Sequence, residues 1–113
     1  MTVTHPLPDD LVELIAQRFR ALSEPTRIKL LDRLREGEAT VLELTAAIDT
    51  TEQNVSKHLG LLARAGIVRR RKQGNFSYYS IGDEGVFTLC EQVCGSLQQQ
   101  LEELRQIVAT GVS

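Results

Sequence analysis

The segment "TTEQNVSKHLGLLARAGIVRRRKQGNFSYYSI", Thr50–Ile81, changes its hydrophobic period part-way along. In the first half the apolar residues recur at spacings of four and three, and they are Val55, Leu59 and Leu62. This spacing predicts a helix over about 51–64 that is stopped by Gly66. From residue 67 the period becomes two on either side of the tip "QGN", which predicts a β-hairpin over about 67–81 with Gly74 in its turn.

The residues around this segment predict helices. Upstream, one helix follows "PDD", a second begins after Ser23 as its cap, and a short third begins with a capping box of Thr40 and Glu43. A similar box of Thr50 and Gln53 is predicted where the next helix begins. Downstream, one long helix is predicted over about 86–108, and its apolar stripe is Val86, Cys90, Cys94, Leu97, Leu101, Leu104 and Val108.

The order of these elements is helix, helix, helix-turn-helix, hairpin, helix. It predicts a mainly α fold with a β-hairpin wing (α+β), the winged helix-turn-helix, in one domain over 1–113. In that architecture the second helix of the short pair enters the major groove of DNA. The long apolar helix in so small a chain indicates a dimer that completes its burial.

The charge distribution indicates a polyanionic partner. Residues 53–82 carry a charge of +6 and no acid, while the other 83 residues total −8. The basic residues of this cationic window are Lys57, Arg64, Arg69, Arg70, Arg71 and Lys72. Because a solvated surface usually mixes both signs, a block of one sign favours binding to a polyanion even in a chain of net charge −2.

The predicted helix over 51–64 presents one polar face, which includes Gly60, opposite its apolar stripe. Glutamine pairs with adenine, lysine reaches guanine or phosphate, serine bonds either, and a bare glycine admits the DNA backbone. For His58 a hydrogen-bonded structural role is as good a prediction as a phosphate contact. The residues predicted to contact double-stranded DNA are Gln53, Asn54, Ser56, Lys57, His58, and, near the hairpin tip, Arg71, Lys72 and Asn75.

Several other classes are disfavoured by the sequence. No apolar run reaches the roughly 18 residues of a membrane span, and the first residues do not resemble a signal peptide, so a cytoplasmic location is expected. Two cysteines make no disulfide framework. There is no phosphate loop, nucleophile elbow or recognisable catalytic set, so we expect neither an enzyme nor a bound cofactor. A protein-docking winged helix remains an alternative, but the predicted face lacks apolar anchors.

Three segments together resemble the ArsR/SmtB family of winged-helix repressors. "ALSEPTRIKLLDRLREGEATVLEL" is similar to the family's second and third helices, "NVSKHLGLLARAGIVRRRKQGNFSYYSI" to its recognition helix and wing, and the final helix to its dimerisation helix. The resemblance implies a homodimer held by terminal helices, here through Leu97, Leu101 and Leu104. It also implies a repressor of its own operon that binds an imperfect palindrome and is released by an inducer. Two-fold symmetry would separate the half-sites by roughly 34 to 36 Å.

The inducer sites of that family are not carried over. Its Cys-x-Cys motif is replaced by Thr40, Val41 and Leu42, and no histidine follows Asp83, so neither of the family's metal sites is predicted here. The remaining candidates are Cys90 and Cys94. Three roles stay open for this pair: simple packing on the apolar stripe, sensing of thiol-reactive species, or a soft-metal site completed by the partner's cysteines or by another donor such as His5.

Overall fold

The computed structural model describes residues 3–111, and within them it contains five helices and three strands. In chain order these are α1 (Asp9–Leu22), α2 (Pro25–Leu34), β1 (Ala39–Thr40), α3 (Val41–Ala47), α4 (Glu52–Arg64), β2 (Val68–Gln73), β3 (Phe76–Ile81) and α5 (Glu84–Thr110). This order confirms the predicted winged helix-turn-helix, with α4 in the place of the recognition helix and β2–β3 as the wing. None of these helices is long and apolar enough to cross a lipid bilayer.

The chain divides into two compact units, the first ending at Asp83 and the second made of α5. In the first unit the core lies between α2, α3, α4 and the sheet. Its fully buried large side chains are Leu30, Leu44, Val55, Leu59, Leu62 and Ile67. Each such burial contributes roughly 1.5 to 3 kcal/mol, which is why α4 is firmly fixed through its apolar stripe.

The three strands form an antiparallel sheet in the order β1-β3-β2. Tyr79 pairs with Ala39 on one side and Arg70 on the other, and both Tyr79 and Ala39 are buried. The hairpin turn contains Gly74 with φ of 61°, a conformation that favours glycine, so the predicted turn is confirmed. The inner end of the wing is therefore anchored in the core, while its tip extends into solvent.

Two predicted helix caps are wrong by one residue. The cap of α2 is Glu24, whose Oε2 accepts from the Arg27 backbone N–H at 3.0 Å, because the helix begins at Pro25 itself and Ser23 ends α1. The cap of α4 is Thr51, whose Oγ1 accepts from the Asn54 N–H at 3.1 Å, so the helix begins one residue later than predicted. The predicted capping box of α3 is present as expected.

Candidate nucleic-acid interface

The polar face of α4 is presented to solvent as the sequence predicts. Gln53, Ser56 and Lys57 are exposed, whereas the apolar stripe on the other side of the helix is completely buried. A Cβ added at Gly60 would meet only the Arg64 guanidinium, at 3.4 Å, so this side of the helix stays open. The face is thus mounted on the core and open to solvent, which is the arrangement a helix needs in order to enter a major groove.

Asn54 stands at the edge of this face and is half-buried. Its side-chain amide donates to the Thr50 Oγ1 at 3.0 Å, and its backbone N–H donates to the Thr51 Oγ1. Asn54 therefore fixes the turn between α3 and α4, which leaves its side-chain oxygen for a further contact.

His58 does not lie on the exposed face. Its side chain is buried, with 6% of the residue exposed, and Nδ1 lies 3.1 Å from Nη1 of Arg27 on α2. Burial removes this ring from the reach of a phosphate, so the structure places it in the hydrogen-bonded structural role that the sequence left open.

The wing carries most of the cationic window. Arg69, Arg70 and Lys72 on β2 are all exposed, as is Asn75 at the tip. Arg70 donates from Nε and Nη2 to the Ser77 Oγ at 3.1 and 3.0 Å, which holds the guanidinium along the hairpin. Within residues 3–111 the window's arginines and lysines form a single ion pair, between Arg71 and Glu38. The other five cations are available to an external polyanion.

Arg71 is held in place from three sides. Its Nη2 and Nε donate to the two carboxylate oxygens of Glu38 at 2.6 and 3.3 Å, Nη1 donates to the Gln73 Oε1 at 2.6 Å, and the guanidinium lies 4.6 Å from the centre of the Tyr78 ring. The hydrogen bond to Arg71 lowers the pKa of Glu38, and the same bond raises that of Arg71. Glu38 therefore stays charged near neutral pH and occupies the fork that would bind a phosphate.

Glu38 was not among the residues predicted from the sequence. It is 33 residues from Arg71 along the chain, and no local spacing links the two. The sequence offered only a general indication of this contact, namely an acidic residue directly before β1, the strand that pairs with the wing.

On α5 the two cysteines are free thiols, of which Cys90 is partly buried and Cys94 is exposed. Partial burial, and then the neighbouring Cys94 thiol, raise the pKa of Cys90. Cys90 is therefore predominantly protonated at neutral pH. Residues 3–111 hold no cluster of three or more side chains suited to a metal ion, so a metal on these thiols would need donors from elsewhere.

A short helix pair, an exposed polar face on its second helix and a cationic hairpin define the winged helix-turn-helix class of DNA-binding proteins. Residues 22–71 match a family model described as a helix-turn-helix domain. The chain is 38% identical over 81 residues to the HTH-type transcriptional regulator KmtR of Mycobacterium tuberculosis, covering 72% of this chain and 62% of that protein. It is 34% identical over 90 residues to the transcriptional repressor SmtB homolog of Synechocystis, covering 80% and 68%.

Among solved structures, the chain is similar to a homodimeric winged helix-turn-helix domain from Mycobacterium bovis, described as a possible ArsR-family transcriptional regulator. The TM-score is 0.78 at 28% identity, over 91% of this chain and 95% of that one. The protein belongs to the ArsR/SmtB family of transcriptional regulators. The alignments span about two thirds of the two curated relatives.

Proposed function

We propose that the protein is a homodimeric transcriptional repressor that binds an imperfect palindromic operator in the cytoplasm and acts by binding rather than by catalysis. The observation that carries this proposal is the exposed face of Gln53, Ser56 and Lys57, mounted on a fully buried stripe and flanked by a wing with exposed cations. Hydrogen-bonding side chains on a helix of this width suit base edges in the major groove, and the wing cations suit the phosphates beside it.

The proposed DNA contacts divide by chemistry. Gln53, Ser56 and Lys57 on α4 read base edges, with Asn54 at the border of the face. Lys72 and Asn75 on the wing, together with the exposed Arg69 and Arg70, bind phosphates or the minor groove. Arg71 joins them only when its guanidinium leaves Glu38. Two-fold pairing of subunits presents two such surfaces to consecutive major-groove segments of one duplex.

A fluorescence anisotropy titration tests the proposal, using labelled duplexes from upstream of the gene and an unrelated duplex of equal length. We expect the upstream duplex to bind about 10³-fold more tightly or better, and log Kd to rise linearly with log salt. Equal affinity for both duplexes would contradict a sequence-specific repressor, and a salt-independent Kd would contradict the proposed phosphate contacts.

Glu38 supplies a quantitative test of the wing. In Glu38→Gln the bidentate ion pair is lost and Arg71 becomes available to DNA, so we expect tighter binding and a slope of log Kd against log salt that is steeper by about 0.9. Glu36→Gln is the matched control, because it removes the same charge two residues earlier from a carboxylate that pairs with Arg33 instead. The same slope in both variants would contradict the release of Arg71.

We also propose that a thiophilic inducer acts at Cys90 and Cys94, the two cysteines of the chain. One subunit offers two thiols, so a soft metal ion needs donors from the second subunit, whereas a thiol-oxidising species needs the thiols alone. Both cysteines lie on the apolar stripe of α5, the helix proposed to pair the subunits. Modification of either thiol, or metal binding to it, would therefore change the size or charge of a side chain in the proposed subunit contact.

The inducer test uses operator binding by the reduced protein, the polysulfide-treated protein and the protein mixed with arsenite. We expect one treatment to weaken operator binding by about tenfold or more, within the range of allosteric coupling. Under the same treatment the Cys90→Ser, Cys94→Ser double variant should keep its affinity for the operator. Loss under polysulfide alone identifies oxidation, and loss under arsenite alone identifies a soft-metal site. Equal binding under all three conditions would leave the cysteines a packing role and refute the sensing proposal.

A further inference from the structure

The one buried polar side chain of the described core lies directly behind the proposed DNA-binding face. His58 follows Lys57 on α4, and its ring points away from solvent toward α2. A buried polar ring is stable only when its nitrogens have partners, so its partners show what the side chain does.

Arg27 is the main partner, and it joins three helices. Its Nη1 lies 3.1 Å from the His58 Nδ1, its Nε donates to the Ala21 carbonyl oxygen at 2.6 Å, and its Nη2 reaches the Arg20 carbonyl oxygen at 3.4 Å. Those carbonyls belong to the last turn of α1. One guanidinium on α2 thus connects the end of α1 to the middle of α4.

The contact with Arg27 bears on which imidazole nitrogen of His58 accepts a hydrogen bond. A guanidinium is always a donor, so in this contact the His58 Nδ1 is the acceptor, which corresponds to the imidazole tautomer with its proton on Nε2. Nε2 lies 3.8 Å from the Glu24 Oε2. Within residues 3–111, the charged side chains that pair with His58 are Arg27 of α2 and Glu24, the cap of α2. Neither α3 nor β2, which also pack on α4, contributes one.

We propose that His58 is the positioning residue of the recognition helix and that it holds this helix only as a neutral imidazole. The inference rests on the proposed DNA-binding function. Protonation of Nδ1 removes the acceptor and sets an imidazolium 3.1 Å from a guanidinium, while the Glu24 carboxylate attracts the ring from the other side. The ring then leaves Arg27 for Glu24, and α4 loses its connection to the end of α1.

The expected consequence is that operator binding weakens as the pH falls through the range in which histidine side chains gain charge. The direction in which the affinity changes distinguishes the two explanations, because added positive charge by itself strengthens the attraction of a protein to phosphates. A gain of affinity in acid would be the ordinary electrostatic result, whereas a loss requires that the binding face has been disturbed.

The test measures the affinity for the operator duplex between about pH 8 and about pH 5.5 at constant ionic strength. In His58→Asn the amide oxygen takes the place of Nδ1, accepts from Arg27 and does not titrate. His5→Asn is the matched control, since His5 is the other of the two histidines in the chain. We expect Kd to rise about tenfold in acid for the wild type and His5→Asn, the scale of one lost charge-assisted hydrogen bond, and to stay flat for His58→Asn.

Arg27→Met supplies an independent variant at the other end of the contact, with weak binding expected already at pH 8 and no further loss in acid. A wild-type affinity that rises or stays constant in acid would overturn the inference, as would an acid loss that persists in His58→Asn. Failure of every variant to prefer the operator at pH 8 would refute the proposed function itself. The imidazole ¹⁵N chemical shifts of the free protein then still test the contact between His58 and Arg27, because a proton on Nδ1 at pH 8 would exclude that contact.

Discussion

Replacing Leu101 with glutamate is expected to dissociate the proposed homodimer and, with it, to abolish tight operator binding. Within residues 3–111 no side chain of α5 is buried, and its stripe of Leu97, Leu101 and Leu104 is 55%, 47% and 59% exposed. An apolar stripe of this length that is exposed to water in one chain indicates that another subunit covers the helix. A carboxylate introduced there would have to be buried without a partner, which costs several kcal/mol.

Sedimentation velocity at micromolar concentration measures the first effect, and anisotropy with the operator duplex measures the second. Since a monomer engages one half-site, the affinity should fall by about 10²- to 10⁴-fold, the usual gain from bivalent binding. Gln99→Glu is the control, because it adds the same charge on the exposed part of α5 away from the stripe. A Leu101→Glu protein that still sediments as a dimer would show that another surface pairs the subunits.

Lys57→Ala is expected to weaken specific operator binding by about 10- to 100-fold, the range for a side chain that reads a base edge. Lys57 is exposed at the centre of the polar face and has no ion-pair partner within residues 3–111, so the change removes a contact to DNA and little else. Lys29→Ala is the matched control, since it removes the same charge from an exposed site on α2.

Binding to the unrelated duplex distinguishes three roles for Lys57: a base contact, a phosphate contact and a solvated side chain that does not touch DNA. If Lys57 reads a base, the operator loses affinity and the unrelated duplex changes little. If it contacts phosphate, both duplexes weaken together and the salt slope falls by about 0.9. If Lys57→Ala and Lys29→Ala behave alike on both duplexes, α4 does not present its polar face to DNA.

Much of the fold follows from local pattern in the chain. The change of period after Gly66, the glycine at the hairpin tip and the capping box of Thr40 and Glu43 each act over a few residues, so the sequence by itself predicted the helices, the wing and their order. The misplaced caps of α2 and α4 show the limit of local signals: adjacent candidates, such as Thr50 and Thr51, differ little in intrinsic preference, and the exact start of the helix selects between them.

The exposed face of α4 was also a property of the sequence, because helical spacing alone sets which side chains lie opposite Val55, Leu59 and Leu62. The tertiary structure decided what flanks that face. His58 meets Arg27 across 31 residues, and Arg71 meets Glu38 across 33. Such pairs depend on how the helices and the sheet pack against one another, so no spacing in the chain encodes them, and they determine which charges remain free to meet DNA.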